Sequence, residues 1–226
     1  MAIRGILFDN DGTLVDTHDL ILSSMRHATR QVLERDLPDE VLMAQVGIPL
    51  ATQMLDFADG DERLCDELLR VYRAHNHAHH DSQVKLFPDV LDGLRDLHAA
   101  GLRMGVVTAK LHALAQRGLQ ITGAWQYLDC LVAPDDCPKA KPDPDPIIMA
   151  ADLLGLACDE CIYLGDSPFD MQAGLAAGCT TVAALWGMFS SDALQSCNPH
   201  FACQTFSDFV ARVCPESTLP EGNAPA

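Results

Sequence analysis

The strongest constraint on this chain is a change in its hydrophobic period. From Phe87 onward short apolar runs alternate with stretches of helical period, whereas the preceding region is helical in pattern except for one apolar run at its start. The alternating units begin with a helix from Pro88 to His98 that stops at Gly101, then a strand over 104–107, a helix over 111–119 and an apolar stretch over 128–133. They continue with a helix over 146–154, a strand over 161–164, a helix over 168–177 and a strand over 180–185. Such a series packs as βα units around a parallel sheet with both faces covered. The expected fold class is α/β, a Rossmann-like parallel sheet with helices on both faces.

The region before this series predicts an insertion. Residues 3–8 form an apolar run ended by Asp, Asn and Gly, the pattern of a buried strand entering a loop. Residues 16–84 then show 3.6-residue periodicity, broken at Pro38, Gly47-Ile48-Pro49 and Asp59-Gly60-Asp61, as a bundle of about four helices requires. The expected organisation is an α/β core over 1–15 and 85–214 with an inserted α-helical domain over 16–84. The Pro-, Glu- and Gly-containing residues 215–226 are expected to be a disordered tail. Ligands of open parallel sheets bind at the carboxyl ends of the strands, so a helical insertion after the first strand is expected to overhang the site as a cap.

Charge narrows the partners. The 15 Lys and Arg against 32 Asp and Glu leave a net charge of −17, which repels nucleic acid and anionic membrane surfaces. No uncharged apolar run has the roughly 18 residues of a membrane span, and the first residues lack the order of a signal peptide, which predicts a cytoplasmic protein. Nine Cys, an odd number and several within apolar stretches, are expected to be reduced, with the Cys158/Cys161 pair serving packing. The expected state is a monomer or homodimer.

Four polar clusters fall at the ends of predicted strands: Asp9-Asn10-Asp11-Gly12-Thr13, Thr108 with Lys110, Lys141, and Asp166 with Asp170. If strand geometry persists, Asp9 and Asp11 leave the same edge, and like charges there call for a cation. Asp166 adds a third carboxylate, and an oxygen-rich site of this kind suits Mg²⁺. Thr108 and Lys141 supply a hydroxyl and an ammonium for a tetrahedral phosphate, and Gly12 lets the loop amides turn toward the same oxygens. A carboxylate nucleophile can form an aspartyl-phosphate while a second carboxyl moves the proton, roles that Asp9 and Asp11 fit.

The segments FDNDGTL, VVTAK, KPDP and YLGDSPFD, in this order, resemble the four motifs of the haloacid dehalogenase-like hydrolase superfamily over essentially residues 1–210. The resemblance implies Asp9 as nucleophile, Asp11 as general acid/base, and phosphate binding by Thr108 and Lys141. It also places Asn10 and Ala109 in the phosphate-binding loops, where other members more usually carry an apolar residue and Asn. The implied Mg²⁺ ligands are Asp9, Asp166 and Asp11, the last through its main-chain carbonyl, with Asp170 orienting Lys141 or metal-bound water. The insertion is similar to the small helical cap of the branch that includes phosphoglycolate phosphatases and β-phosphoglucomutases. Within it, VGIPL resembles a substrate-specificity loop, which makes Gly47 and Ile48 specificity residues, and VVTAK with LWGM resembles a phosphoglycolate phosphatase and PpaX-like pyrophosphatase group.

The resemblance therefore implies an Mg²⁺-dependent phosphatase for a small phosphorylated metabolite, a phosphoglycolate-like phosphomonoester first. The alternatives are an inorganic pyrophosphatase, a β-phosphoglucomutase-like phosphoryl transferase, and a metal-binding protein on an inactive scaffold. Lys110 has two readings of equal weight, contact with a substrate carboxylate or second phosphate, and a surface lysine at a helix start. His75, His77, His79 and His80 are expected to be a solvated helix end, because spacing places no carboxylate or Cys partner beside them.

Overall fold

The computed structural model describes residues 2–214, so the expectation of a disordered tail over 215–226 lies outside the described residues. Among the described residues six strands form a parallel sheet in the order β5-β4-β1-β6-β7-β8. They are β1 (Gly5–Phe8), β4 (Arg103–Val107), β5 (Cys130–Val132), β6 (Cys161–Gly165), β7 (Thr180–Ala184) and β8 (Phe201–Cys203). β1 is central and pairs with β4 on one side and β6 on the other, Leu7 lying opposite both Gly105 and Tyr163. The chain thus builds outward from β1 in one direction through β4 and β5, and in the other through β6, β7 and β8. The carboxyl ends of β1 and β6 flank the point where that direction reverses, where a parallel sheet opens a crevice.

Alternation along the strands fills two cores. Ile6, Phe8, Val106, Ile162 and Leu164 face one side, against helices α5 (Val90–Ala99), α6 (His112–Ile121) and α10 (Phe206–Val213). Leu7, Cys161 and Tyr163 face the other, against α7 (Asp145–Leu154) and α8 (Pro168–Ala177). Phe8, Phe206 and Phe209 pack ring against ring, with Phe8 and Phe206 centroids 6.0 Å apart. Each ring buries a large apolar surface, and the offset contacts add about 1 kcal/mol per pair beyond that burial. Cys130, Cys161 and Cys179 are buried within the second core, where burial pushes the Cys161 thiol up to about 12. They sit there as small apolar side chains.

The helical region is a separate layer with its own core. α1 (His18–Leu33), α2 (Asp39–Met43), α3 (Leu50–Phe57) and α4 (Glu62–Gln83) pack around Met25, Leu42, Met54 and Leu68, each essentially without exposed surface. Asp61 caps α4 by accepting hydrogen bonds from the Arg63 and Leu64 amides. Two short strands join this layer to the sheet: β2 (Val15–Asp16) and β3 (Lys85–Leu86) pair antiparallel, and Lys85 Nζ lies 3.0 Å from Asp16 Oδ2. Both ends of the insertion therefore leave the sheet side by side. A short helix α9 (Ser191–Gln195) completes the fold, and no helix among the described residues is long and apolar enough to cross a membrane.

Candidate active site

The first polar cluster begins where β1 ends. The Asp9 amide donates to the Leu164 carbonyl at 2.9 Å, extending the pairing with β6 by one residue, and the chain then turns sharply. The Asn10 carbonyl accepts from the amides of Thr13, Leu14 and Val15, and Gly12 adopts φ 93°, a left-handed conformation open to glycine. This turn decides the fate of the two carboxylates. The carboxylates of Asp9 and Asp11 diverge at this turn, and each meets its own lysine, Lys141 and Lys110 respectively.

Asp9 is 4% exposed, and its Oδ1 accepts from Lys141 Nζ at 2.6 Å. The same ammonium donates to Asp170 Oδ1 at 2.6 Å. Asp170 is fully enclosed: Tyr163 Oη donates to its Oδ1, while the Ser167 amide and hydroxyl donate to its Oδ2. Ser167 is also the N-cap of α8, so Asp170 closes a capping box and holds Lys141 at once. With its oxygens so occupied, Asp170 orients Lys141. Burial disfavours the charge on Lys141, but Asp170 and Asp9 outweigh it and raise the ammonium above its ordinary value.

Asp166, at the end of β6, approaches from the opposite side. Its Oδ2 accepts from the Met188 amide at 2.6 Å, and its Oδ1 accepts from Thr13 Oγ1 at 3.4 Å. Two glycines make room for it. A Cβ on Gly12 would lie 2.2 Å from Asp166 Oδ2, and one on Gly187 would lie 2.2 Å from Asp166 Cβ. Trp186 Nε1 donates to the Thr13 carbonyl, tying the loop after β7 to the loop after β1. Thr13 belongs to the first polar cluster and Trp186, Gly187 and Met188 to the LWGM segment, but no spacing ties any of them to Asp166.

Asp9, Asp166 and Asp170 each offer a carboxylate oxygen within 4.8 Å of the others. Three buried carboxylates around one ammonium leave excess negative charge. Burial first, then the neighbouring carboxylates, push Asp9 up to about 7 and Asp166 well above the ordinary carboxylate range. An all-oxygen set with that charge deficit fits a hard divalent cation such as Mg²⁺, which would restore ionisation to the pair.

Asp11 occupies a different setting. Its Oδ1 accepts from Lys110 Nζ at 2.7 Å and from Thr17 Oγ1 at 2.7 Å, and its Oδ2 accepts from Asn10 Nδ2 at 3.0 Å. Burial opposes its charge, yet Lys110 and these hydrogen bonds prevail and lower the Asp11 carboxyl below its ordinary value. Lys110 is thus an internal partner of Asp11, its side chain only 12% exposed, and not a surface lysine. The Asn10 side chain is spent on Asp11, and its Oδ1 is buried without a partner.

Thr108, Ala109 and Lys110 follow β4 and line a cavity of about 190 Å³ whose floor includes Asp9 and Asp11. Gly47, Ile48, α3 and α4 form the opposite wall. Gly47, at φ 110°, approaches the sheet layer so closely that a Cβ there would lie 2.9 Å from Ser167 Oγ. The histidine segment is not a solvated helix end throughout: His80 is buried with its Nδ1 3.0 Å from Asp81 Oδ1, His77 lines the cavity, and His75 packs against His27 and His79 with centroids 4.6 and 4.4 Å apart.

A model of a protein family described as haloacid dehalogenase-like hydrolase matches residues 6–184. The pyrophosphatase PpaX of Anoxybacillus flavithermus is 35% identical over 211 residues, covering 93% of this chain and 97% of that protein. PpaX of Bacillus velezensis is 34% identical over 92% of this chain and 95% of its own length. Among solved structures, a predicted phosphoglycolate phosphatase from Haemophilus somnus superposes with a TM-score of 0.83 at 24% identity, covering 93% of this chain and 97% of that one. A predicted phosphatase from Clostridium acetobutylicum gives 0.83 at 21% identity, over 96% and 100%. At these identities the structural likeness establishes the fold.

Proposed function

Because the chain belongs to the haloacid dehalogenase-like hydrolase family, we propose that it is an Mg²⁺-dependent phosphatase acting on a small phosphomonoester, phosphoglycolate-like in size and charge, through an aspartyl-phosphate. The observation that carries this reading is the separation of the two carboxylates of the first loop. Asp9 lies with Lys141 and Asp166, while Asp11 is held 2.7 Å from Lys110. The separation supports a division of labour in which Asp9 attacks and Asp11 moves a proton.

In this reading the substrate phosphate sits between Asp9, Thr108, the Ala109 loop and Lys141. An Asp9 carboxylate oxygen attacks phosphorus, the bond to the ester oxygen breaks, and its electron pair leaves with that oxygen, which takes a proton from Asp11; for this step Asp11 must leave its Lys110 contact, which lowers the carboxyl here, and take up a proton first. Water then attacks the phosphorus of the aspartyl-phosphate and gives its proton to Asp11. The Asp9–phosphorus bond breaks, and inorganic phosphate and both carboxyl groups are restored. Asp9, Asp166 and the main-chain carbonyl of Asp11 would hold Mg²⁺, which when bound supplies the charge that brings a phosphate dianion against a carboxylate. The helical layer acts as a cap, with Gly47 and Ile48 reaching the leaving group.

A second reading, hydrolysis of inorganic pyrophosphate, is favoured by the names of the PpaX relatives. Phosphate release from 2-phosphoglycolate, p-nitrophenyl phosphate and pyrophosphate, measured with Mg²⁺ and after chelation, tests both. Activity on the esters that vanishes with chelator and returns with Mg²⁺ is expected. Turnover of pyrophosphate alone would favour the second reading, and full activity in chelator would refute the metal assignment.

A further inference from the structure

Helix α4 carries a group of titratable side chains that the phosphatase chemistry does not use. His75 and His79 stand one turn apart on this helix, with ring centroids 4.4 Å apart. His27, on α1, stacks on the His75 ring at 4.6 Å, so that His75 is clasped between two imidazoles. Neither His75 nor His79 lines the cavity, to which α4 contributes Tyr72, Arg73, Asn76 and His77.

The hydrogen bonds of the two rings fix which nitrogen is free. The His75 carbonyl can only accept, so His79 Nδ1, 2.8 Å away, carries a proton and donates it. Ser24 donates its single hydroxyl proton to the Leu20 carbonyl at 2.6 Å, so its oxygen accepts from His75 Nδ1 at 3.1 Å. In both neutral rings the proton therefore sits on Nδ1 and the lone pair on Nε2, and neither Nε2 has a hydrogen-bond partner among the described residues. This is the tautomer of a metal-ligating histidine, whose other nitrogen donates to an oxygen behind it. Burial, then the His79 and His27 rings, lower the His75 imidazole and favour its neutral form near pH 7.

We propose that His75 and His79 form a transition-metal site, separate from the carboxylate cluster, that takes one divalent cation of the imidazole-preferring class, such as Ni²⁺ or Zn²⁺, through their Nε2 atoms. Nitrogen ligands distinguish it from the all-oxygen group of Asp9, Asp166 and Asp170, which suits Mg²⁺. His79 is exposed, so water completes the coordination, and the field of a chain of net charge −17 concentrates cations around it. His27 holds the His75 ring in place from α1. The site does not depend on which ester the protein hydrolyses.

The test is calorimetric titration of Ni²⁺ into the full-length protein, without a polyhistidine tag and with Mg²⁺ in large excess to occupy the carboxylate cluster. One Ni²⁺ per chain is expected. His75→Ala and His79→Ala, each checked for folding by urea unfolding, should weaken binding about tenfold or more, because one of two nitrogen ligands is lost. Ser24→Ala removes the oxygen behind His75 Nδ1 and should weaken binding about tenfold. His77→Ala, on the same helix but in the cavity wall, should leave the affinity within about twofold. No binding beside Mg²⁺, unchanged affinity in both His75→Ala and His79→Ala, or an equal loss in His77→Ala would overturn the site.

Discussion

The clearest probe of the site is a methyl group that alters no charge. Gly187 has no left-handed backbone, so alanine is conformationally acceptable there, but its Cβ would lie 2.2 Å from Asp166 Cβ and 2.4 Å from Oδ2. Ordinary carbon contacts begin near 3.5 Å, so Asp166 must move by about 1 Å. It has little room to do so, because the residue is 2% exposed and the Met188 amide holds its Oδ2 at 2.6 Å. A displacement of that size in a positioned group costs on the order of 10² in rate, and overpacking of this kind about 1–3 kcal/mol in stability. Gly187→Ala should therefore lose about 100-fold in kcat and need more Mg²⁺ for half-maximal activity, while urea unfolding shows a folded protein of reduced stability. Turnover within about threefold of wild type at unchanged Mg²⁺ demand would refute the placement of Asp166 in the reaction.

Asp9→Asn should abolish turnover while leaving the unfolding transition in place, because the amide keeps the shape but cannot attack phosphorus; residual turnover within a few-fold of wild type would exclude the covalent step. Asp170→Asn should cost about 3 kcal/mol in urea unfolding, since an amide NH₂ would face either the Ser167 donors or the Lys141 ammonium. A loss under about 0.5 kcal/mol would contradict that network. Burial lowers the His80 imidazole, and burial also lowers His75, so both take up protons more readily in the unfolded chain. Their contribution to stability is complete above the unfolded value near pH 6.5 and declines as pH falls below it. Thermal unfolding of His80→Gln between about pH 7.5 and 5.5 should show a shallower slope than wild type, and an identical slope would remove His80 as a contributor.

Much of this architecture is legible in the sequence because local signals carry it. Helix α8 spans 168–177 as its sequence predicts, since a Ser cap, Pro at the first turn and Gly178 at φ 84° mark both ends. Where local signals compete, the boundaries move. Helix α5 begins at Val90 and not at Pro88, because Asp89 takes a left-handed conformation, and the apolar stretch at 128–133 yields only the short strand Cys130–Val132. The two-residue strands β2 and β3 are too short to show a period. β8, α9 and α10 follow the last alternating unit as segments of 3, 5 and 8 residues, too short to show a clear period. In the site, residue types and loop positions are readable, and the resemblance implies the Asp170–Lys141 contact, but the lysine partners of Asp9 and Asp11 are not legible. Lys110 meets Asp11 across 99 positions, and Lys141 meets Asp9 across 132, distances over which spacing carries no information.

The order of the sheet also governs when this protein can bring Asp9 and Asp166 together during synthesis. β1 emerges first, yet both its neighbours come much later, with Phe8 opposite Val106 on one side and Leu164 on the other. At roughly 5–20 residues per second, β1 waits on the order of 10–30 s before β6 leaves the ribosome. In that interval α1–α4, whose contacts are local, are free to assemble first, and the two strands of the β2–β3 ribbon can then close beneath them. Asp9 meets Asp166 only after β6 docks beside β1, so an elongating chain stalled before β6 should lack the Asp9–Asp166 pair.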